Sequence, residues 1–303
     1  MNDPIASFVA DMRARNLAPQ TIRVYNGILR DFAGFLKHLD RPLEKVTRHE
    51  LKAYLEHVSG QRGVSHKTAS GYFGALCAFY DFLVYDDVIE NNPVHAVRKR
   101  YLQTYKERRG HTHQIISIED AARLVSSMVD IRDKAILMTL FKTGIRIKEL
   151  TAIEVTDVDL QNMRITLKPT PKRTNHVVFF DEETADLLER WLKVRAYREE
   201  NGDRWRWLGS RGGLKIGGLS KVVREGAKQI GLHDSSSPNM EDHFSPHCCR
   251  HWFTTMLDRA GMKREHIEML RGDVGKGAID LYIHNDLEDI KKEYLRCIPR
   301  LTV

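Results

Sequence analysis

Along the first hundred residues the apolar positions recur at intervals of three and four. Ile22, Tyr25, Leu29, Phe32, Phe35 and Leu36 line one stripe of a helix. Thr47 and Glu50 make a capping-box pattern ahead of Leu51, Tyr54, Leu55 and Val58, with Gly60 as the stop. A further stripe of Tyr72, Leu76, Phe79, Tyr80 and Leu83 precedes the turn Asn91-Asn92-Pro93. About four helices in this stretch predict a compact bundle. The helical pattern resumes at Ser117, which forms a cap with Asp120, and an apolar segment runs from Ala135 to Phe141. Period-two alternation then appears in Arg164-Ile165-Thr166-Leu167 and from Asn175 to Phe180. These predict two short strands of an antiparallel sheet around the turn Pro169-Thr170-Pro171. Helical patterns dominate to the end, where Leu287, Ile290, Tyr294, Leu295 and Ile298 form a stripe that packs on its own domain or on a neighbouring copy. The fold class is mainly α with a small antiparallel β-sheet.

The length of 303 residues argues for two domains. A basic stretch marks the boundary near residue 108: Arg98, Lys99, Arg100, Lys106, Arg108 and Arg109 stand against the single acid Glu107. Residues 1–105 then form the helical bundle, 106–111 a basic linker and 112–303 the second domain. Such a linker is either simply solvated or placed to cross a phosphate backbone, and the two roles are compatible. The whole chain is basic as well, with 48 Lys and Arg against 41 Asp and Glu and a formal charge of +7. That balance leans toward polyanions. No run approaches the roughly 18 apolar residues of a membrane helix, and the N-terminus lacks a signal-peptide organisation, so neither secretion nor membrane spanning is expected. Cys77, Cys248, Cys249 and Cys297 form no CxxC pair, which fits a reducing cytoplasm rather than a disulfide framework.

Three local clusters carry candidate chemistry. In Thr143-Gly144-Ile145-Arg146-Ile147-Lys148-Glu149-Leu150, Gly144 permits a left-handed backbone between two helices and Arg146 opens the second. An arginine is poorly placed for the dipole at a helix N-terminus, so it serves an anion nearby or pairs with Glu149. In Ser245-Pro246-His247-Cys248-Cys249-Arg250-His251, Ser245 and Pro246 start a helix, and His247 and Arg250 fall one turn apart. That pair offers a proton-transfer group beside a phosphate-binding fork, although such pairs are also common as structure. A metal site from His247, His251 and a cysteine is disfavoured by the adjacent cysteines and by the lack of an acid between the imidazoles. The third cluster is Leu270-Arg271-Gly272-Asp273, with Tyr282 nine residues beyond Asp273 and then His284. By itself Tyr282 reads as core packing. The glycine-rich stretch from Gly209 to Lys215 lacks the spacing of a P-loop.

Taken in order and spacing, TGIRIKEL, a lysine in the following hairpin, HCCR, then RGD and Tyr282 resemble the tyrosine recombinase (integrase) family. The resemblance covers nearly the whole chain, because Pro19 to Tyr25 and Asn91-Asn92-Pro93 resemble the usual phrases of the family's core-binding domain. It implies a SAM-like helical core-binding bundle plus a catalytic domain, closing as a C-shaped clamp on double-stranded DNA. It also implies cleavage and rejoining at a specific recombination site, by a homotetramer on two duplexes. Under the resemblance Arg146 and Arg250 clamp the scissile phosphate, whose developing charge suits guanidinium forks. His247 transfers a proton, and Tyr282 is the nucleophile that forms a 3′-phosphotyrosyl link and frees a 5′-hydroxyl. Lys172 protonates the leaving oxygen, with Lys168 as the alternative in an altered turn. Glu149 holds local structure. Neither metal nor nucleotide cofactor is implied, since the phosphotyrosyl link conserves the bond for rejoining.

One position departs from the pattern. Asp273 stands where most members carry His or Trp, and a carboxylate there repels phosphate unless a cation such as Arg271 neutralises it or it accepts a hydrogen bond from the phenol. Two rival functions follow: a DNA-binding protein of the same fold without catalysis, and a type IB topoisomerase-like enzyme that relaxes supercoils at arbitrary sequence.

Overall fold

The computed structural model describes residues 3–102, 114–170, 173–198, 207–209, 212–237, 239–273 and 287–301. The linker 106–111, Lys172, Tyr282 and His284 lie outside these residues. The chain divides into two compact units, 1–108 and 109–303.

The first unit is helical. Asp3 caps α1 (Pro4–Ala14) by accepting the Ile5 amide at 3.0 Å, and a proline occupies the first turn, where no amide donor is needed. The stripe read from Ile22 to Leu36 lies on α2 (Pro19–Lys37), which buries Leu29, Phe32 and Leu36. The capping box opens α3 (Arg48–Glu56): the Thr47 amide donates to Glu50 Oε2 at 2.8 Å and the His49 amide to Thr47 Oγ1 at 3.2 Å. Gly60 is not the stop. The helix widens into a π turn over His57–Gln61, in which Val58 stays buried, and the left-handed exit falls at Gly63, φ 62°. Ser65 caps α4 (His66–Tyr85), the most buried helix of the bundle. After the Asn92 turn, α5 (Val94–Val97) runs into a second π turn, Arg98–Leu102. Phe8, Phe32, Tyr54, Phe73 and Phe79 fill the common core.

In the second unit, α6 (Ile118–Ser127) is followed by α7 (Ile131–Thr143), whose residues from Ala135 to Thr143 are all buried. A helix apolar on nearly every side must be enclosed, and α7 packs against α9 (Glu182–Arg198) and α11 (Pro246–Arg259). Between α8 (Ile147–Thr151) and α9 lies an antiparallel sheet in the order β1 (Val158–Asp159), β2 (Arg164–Thr166), β3 (Val177–Phe179). Ile165 of β2 faces Val158 on one side and Val178 on the other. The sheet thus has one strand more than the alternation announces, because a two-residue strand is too short to show a period. The glycine-rich stretch is a hairpin of β4 (Leu208–Gly209) and β5 (Gly212–Gly213), followed by α10 (Ile216–Gln229). The chain then forms α12 (Arg264–Arg271) and α13 (Leu287–Cys297).

α13 packs on its own unit. Ile290, Tyr294 and Ile298 join Phe179, Phe253, Leu257 and Ile267 in a second cluster, whereas Leu287 and Leu295 of the predicted stripe face outward. Its anchor is a buried polar knot. Lys142, without exposure, pairs with Asp181 and Glu183 and donates to the Pro299 carbonyl at 2.7 Å. The Tyr294 hydroxyl donates to the Lys142 carbonyl at 2.8 Å and the Leu301 amide to Glu183 at 2.7 Å. The knot explains how a lysine fits the enclosed helix: two carboxylates and a carbonyl satisfy its ammonium. Among the described residues no helix is long and apolar enough to cross a membrane.

Candidate active site

The site is assembled from three helix ends. The first is the turn between α7 and α8. Gly144 ends α7 in the left-handed region, φ 58°, where a Cβ would lie 2.4 Å from the Phe253 ring. The turn delivers Arg146 to the N-cap of α8. Its amide donates to Glu149 Oε2 at 2.7 Å and its guanidinium to Glu149 Oε1 at 3.1 Å. Both sequence readings of Arg146 hold together, because the same guanidinium donates through Nη2 to Asp273 Oδ1 at 2.9 Å.

The second end is the start of α11. Arg250 is buried, and its guanidinium donates to the Gly144 carbonyl at 2.7 Å and the Arg271 carbonyl at 2.9 Å. Both carbonyls terminate helices, so the cation sits at the negative ends of α7 and α12. Nη2 of Arg250 also donates to Asp273 Oδ1, at 2.8 Å. Burial, with the Arg146 charge adding to it, draws the Arg250 guanidinium down to about 10, which leaves it charged at neutral pH.

The third end is the C-terminus of α12. Gly272, φ 62°, is its left-handed cap, and the turn sets Asp273 over the two arginines. One Asp273 oxygen therefore bridges guanidinium groups that lie 127 and 23 residues away in sequence. Its other oxygen lies 2.9 Å from Arg271 Nε as an ion pair, without the alignment of a hydrogen bond.

Arg173, which the sequence reading passes over in favour of its neighbour, holds these ends together. It is buried, and it donates to Glu149 Oε2 at 3.1 Å, the Leu270 carbonyl at 2.7 Å, the Arg271 carbonyl at 3.0 Å and the Asn175 carbonyl. Burial draws its guanidinium down and Glu149 opposes the change. Asn175 adds a donor to the Met269 carbonyl at 3.2 Å. The carbonyls that end α12 are thus capped by side chains from α11 and from the β2–β3 turn. Glu149, also buried, joins Arg146 to Arg173. Four guanidinium groups, those of Arg146, Arg173, Arg250 and Arg271, face two carboxylates, those of Glu149 and Asp273. The surplus is positive, and such a cradle suits an oxyanion.

The other predicted residues fall differently. His247 is exposed in the first turn of α11, one turn before Arg250, with its ring edge-on to His251 at 4.6 Å between centroids. Lys168 is committed at the surface to Asp157, at 2.8 Å, and Glu154, at 3.5 Å. Lys172 and Tyr282 lie outside the described residues. Cys248 and Cys249 are buried, and burial pushes the Cys249 thiol well up; among the described residues neither joins His247 and His251 in a converging set of three potential ligands. Among the described residues one group of three potential ligands does converge, Cys77, Asp81 and His95 in the first unit. There His95 Nε2 lies 3.0 Å from Asp81, and Asn92 donates to the same carboxylate at 2.7 Å, which closes the Asn92 turn.

Comparison with known proteins bears on the family and the fold. Residues 111–288 match the Phage integrase family, and residues 5–90 match the phage integrase N-terminal SAM-like domain. The tyrosine recombinase XerA of Saccharolobus solfataricus is 25% identical over 288 residues, covering 92% of this chain and 87% of the relative. The Tn1549 transposon integrase, solved in complex with transposon right end DNA, superposes with a TM-score of 0.69 at 18% identity, covering 97% of this chain and 99% of that one. A lambda integrase tetramer bound to a Holliday junction gives 0.69 at 13% identity, covering 91% and 77%. At such identities the structural likeness establishes the fold.

Proposed function

The chain belongs to the phage integrase family, the tyrosine recombinases that cleave and rejoin DNA, and from that membership we propose that it recombines DNA at a specific site through a 3′-phosphotyrosyl intermediate. One observation carries the reading: a single anionic oxygen, Asp273 Oδ1, sits within 3 Å of Nη2 of both Arg146 and Arg250. Two forks converging on one oxygen match the demand of a phosphodiester, whose non-bridging oxygens gain charge as the phosphorus becomes five-coordinate.

In the reaction, the Tyr282 hydroxyl oxygen attacks phosphorus and the bond to the 5′-oxygen breaks. The phenolic proton passes to a base, for which His247 is the candidate. The 5′-oxygen takes a proton from Lys172. Reversal by a 5′-hydroxyl from another duplex restores the tyrosine and completes strand exchange. Arg146 and Arg250 stabilise the charge throughout, while Arg173 and Glu149 are positioning residues that fix the helix ends. Lys168 is set aside because two carboxylates hold it at the surface. The assembly we propose is a homotetramer on two duplexes, as the lambda integrase on its junction suggests. The four free cysteines suit a reducing cytoplasm.

The test requires no knowledge of the site. The protein is incubated in EDTA with sheared DNA of its source, stopped with SDS, and the covalently attached DNA is sequenced. One recurring sequence, lost with Tyr282→Phe, is the expected result. Adducts spread over unrelated sequences would favour the topoisomerase-like activity. Absence of adducts, on a nicked trapping substrate as well, would leave a protein that only binds DNA.

A further inference from the structure

We propose that Asp273 takes the coordination that the scissile phosphate requires, so that DNA and Asp273 compete for the same two guanidinium groups and Asp273 sets which anions the site accepts. The inference rests on the reading of Arg146 and Arg250 as the phosphate ligands. A carboxylate and a phosphodiester present the same fork, two oxygens on one central atom, and guanidinium groups bind both in the same way. Asp273 uses it fully: Oδ1 lies 2.9 Å from Arg146 Nη2 and 2.8 Å from Arg250 Nη2, and Oδ2 lies 2.9 Å from Arg271 Nε. A phosphate oxygen cannot occupy the position of Oδ1 while the carboxylate is there.

The structure also indicates which partner yields. The Arg250 side chain is 4% exposed and is held by two helix-end carbonyls, whereas that of Asp273 is 36% exposed. Arg146 is tied to Glu149 through both its amide and its guanidinium. A rotation of Asp273 about its side-chain bonds opens the site without moving either arginine. Arg271, 28% exposed and already beside Oδ2, can keep the displaced carboxylate paired. The backbone of Asp273 need not follow, since its amide donates to the Glu268 carbonyl at 3.3 Å and its carbonyl accepts from Thr174 at 3.3 Å.

A resident anion of this kind is a filter. A lone phosphate must displace an intramolecular carboxylate, whose effective concentration is high, and binds weakly. A phosphodiester presented by a duplex already held over a wide surface has its own high effective concentration and prevails. Asp273 is thus a specificity-determining residue that restricts the arginines to docked DNA.

Titration of inorganic phosphate into the full chain tests this directly. Asp273→Asn and Asp273→Ala should each bind phosphate at least tenfold more tightly than the parent protein. Adding Arg146→Gln to either variant should abolish the gain. Unchanged affinity in both variants overturns the proposal, as does a gain that survives Arg146→Gln, because the phosphate would then be elsewhere. Cleavage of DNA by the same proteins separates the two claims. Cleavage without a phosphate gain retains the recombinase and removes the competition. A phosphate gain with no cleavage by any of the proteins retains the competition and removes the recombinase.

Discussion

Gly272→Ala is the most informative single change in the second unit, because two independent costs meet at one methyl group. The backbone there has φ +62°, a conformation that costs an L-residue roughly 1–2 kcal/mol. The added Cβ would also lie 2.4 Å from Cγ of Arg173, where carbon atoms at rest keep about 3.5–4 Å apart. Arg173 cannot swing away freely, since it is 4% exposed and holds Glu149 and the carbonyls that end α12. Moving it by about an ångström sacrifices at least one charge-assisted hydrogen bond, worth about 1.5–3 kcal/mol. The expected loss is therefore about 2.5–5 kcal/mol. Gly261→Ala is the control: it has φ +77° and nothing within 4 Å of the new Cβ, so only the backbone cost of about 1–2 kcal/mol applies. All four tryptophans, at 191, 205, 207 and 252, lie in the second unit, so tryptophan fluorescence in a urea titration of the full chain reports on that unit alone. Equal losses for the two variants would refute the role assigned to Arg173.

Three further outcomes are expected. Lys142→Met should destabilise the second unit by about 3–5 kcal/mol, because Asp181 and Glu183 keep their buried charge without its partner; a neutral result in the same urea titration would show that the knot relaxes without cost. In the first unit, the Thr47 hydroxyl hydrogen bond, acting against burial, holds the Glu50 carboxyl down at about 2. A depressed carboxylate stabilises the fold above its unfolded value of about 4.5 and loses that contribution as pH falls toward 2. Relative to the intrinsic exchange rate, which itself falls with pH, the protection of α3 amides should accordingly drop between about pH 5 and pH 2 in the parent protein, and Glu50→Gln should remove most of that dependence. Arg250→Lys should reduce DNA cleavage at least a hundredfold with DNA affinity changed less than threefold, since a lysine cannot span two carbonyls and an oxyanion (~3 kcal/mol in the transition state); equal losses in binding and cleavage would make it a ground-state contact.

Much of this architecture is written locally. The stripe on α2, the Thr47–Glu50 box and the Ser117 cap are interactions among neighbours in sequence, and periodicity or spacing reveals them. Gly144 was readable for the same reason, as a glycine between two helical patterns. What eludes a linear reading is contact between distant segments. Arg173 stands in a turn of ordinary basic residues, and its partners arrive from α8 and from α12, 24 and 97 to 98 residues away. Only the fold shows that this side chain is buried while Lys168, a few residues before, is spent on surface carboxylates. The same holds for Lys142, whose carboxylate partners lie 39 and 41 residues on. Asp273 was visible as a departure, but its partners were not: Arg271 could be guessed from adjacency, whereas the bridge to Arg146 and Arg250 required three helix ends to meet. The π turn after α3 also left no mark, because a widened turn keeps the apolar spacing at Val58 and shifts the exit by only three residues, from Gly60 to Gly63.

Peptide mapping of the trapped adduct locates the attachment point, which the proposed reaction puts at Tyr282. After SDS capture, nuclease digestion and trypsin, a nucleotide 3′-phosphate is expected on the peptide Gly277–Lys291, whose only tyrosine is Tyr282. A nucleotide on any other peptide, or an adduct that persists in Tyr282→Phe, would contradict that reaction.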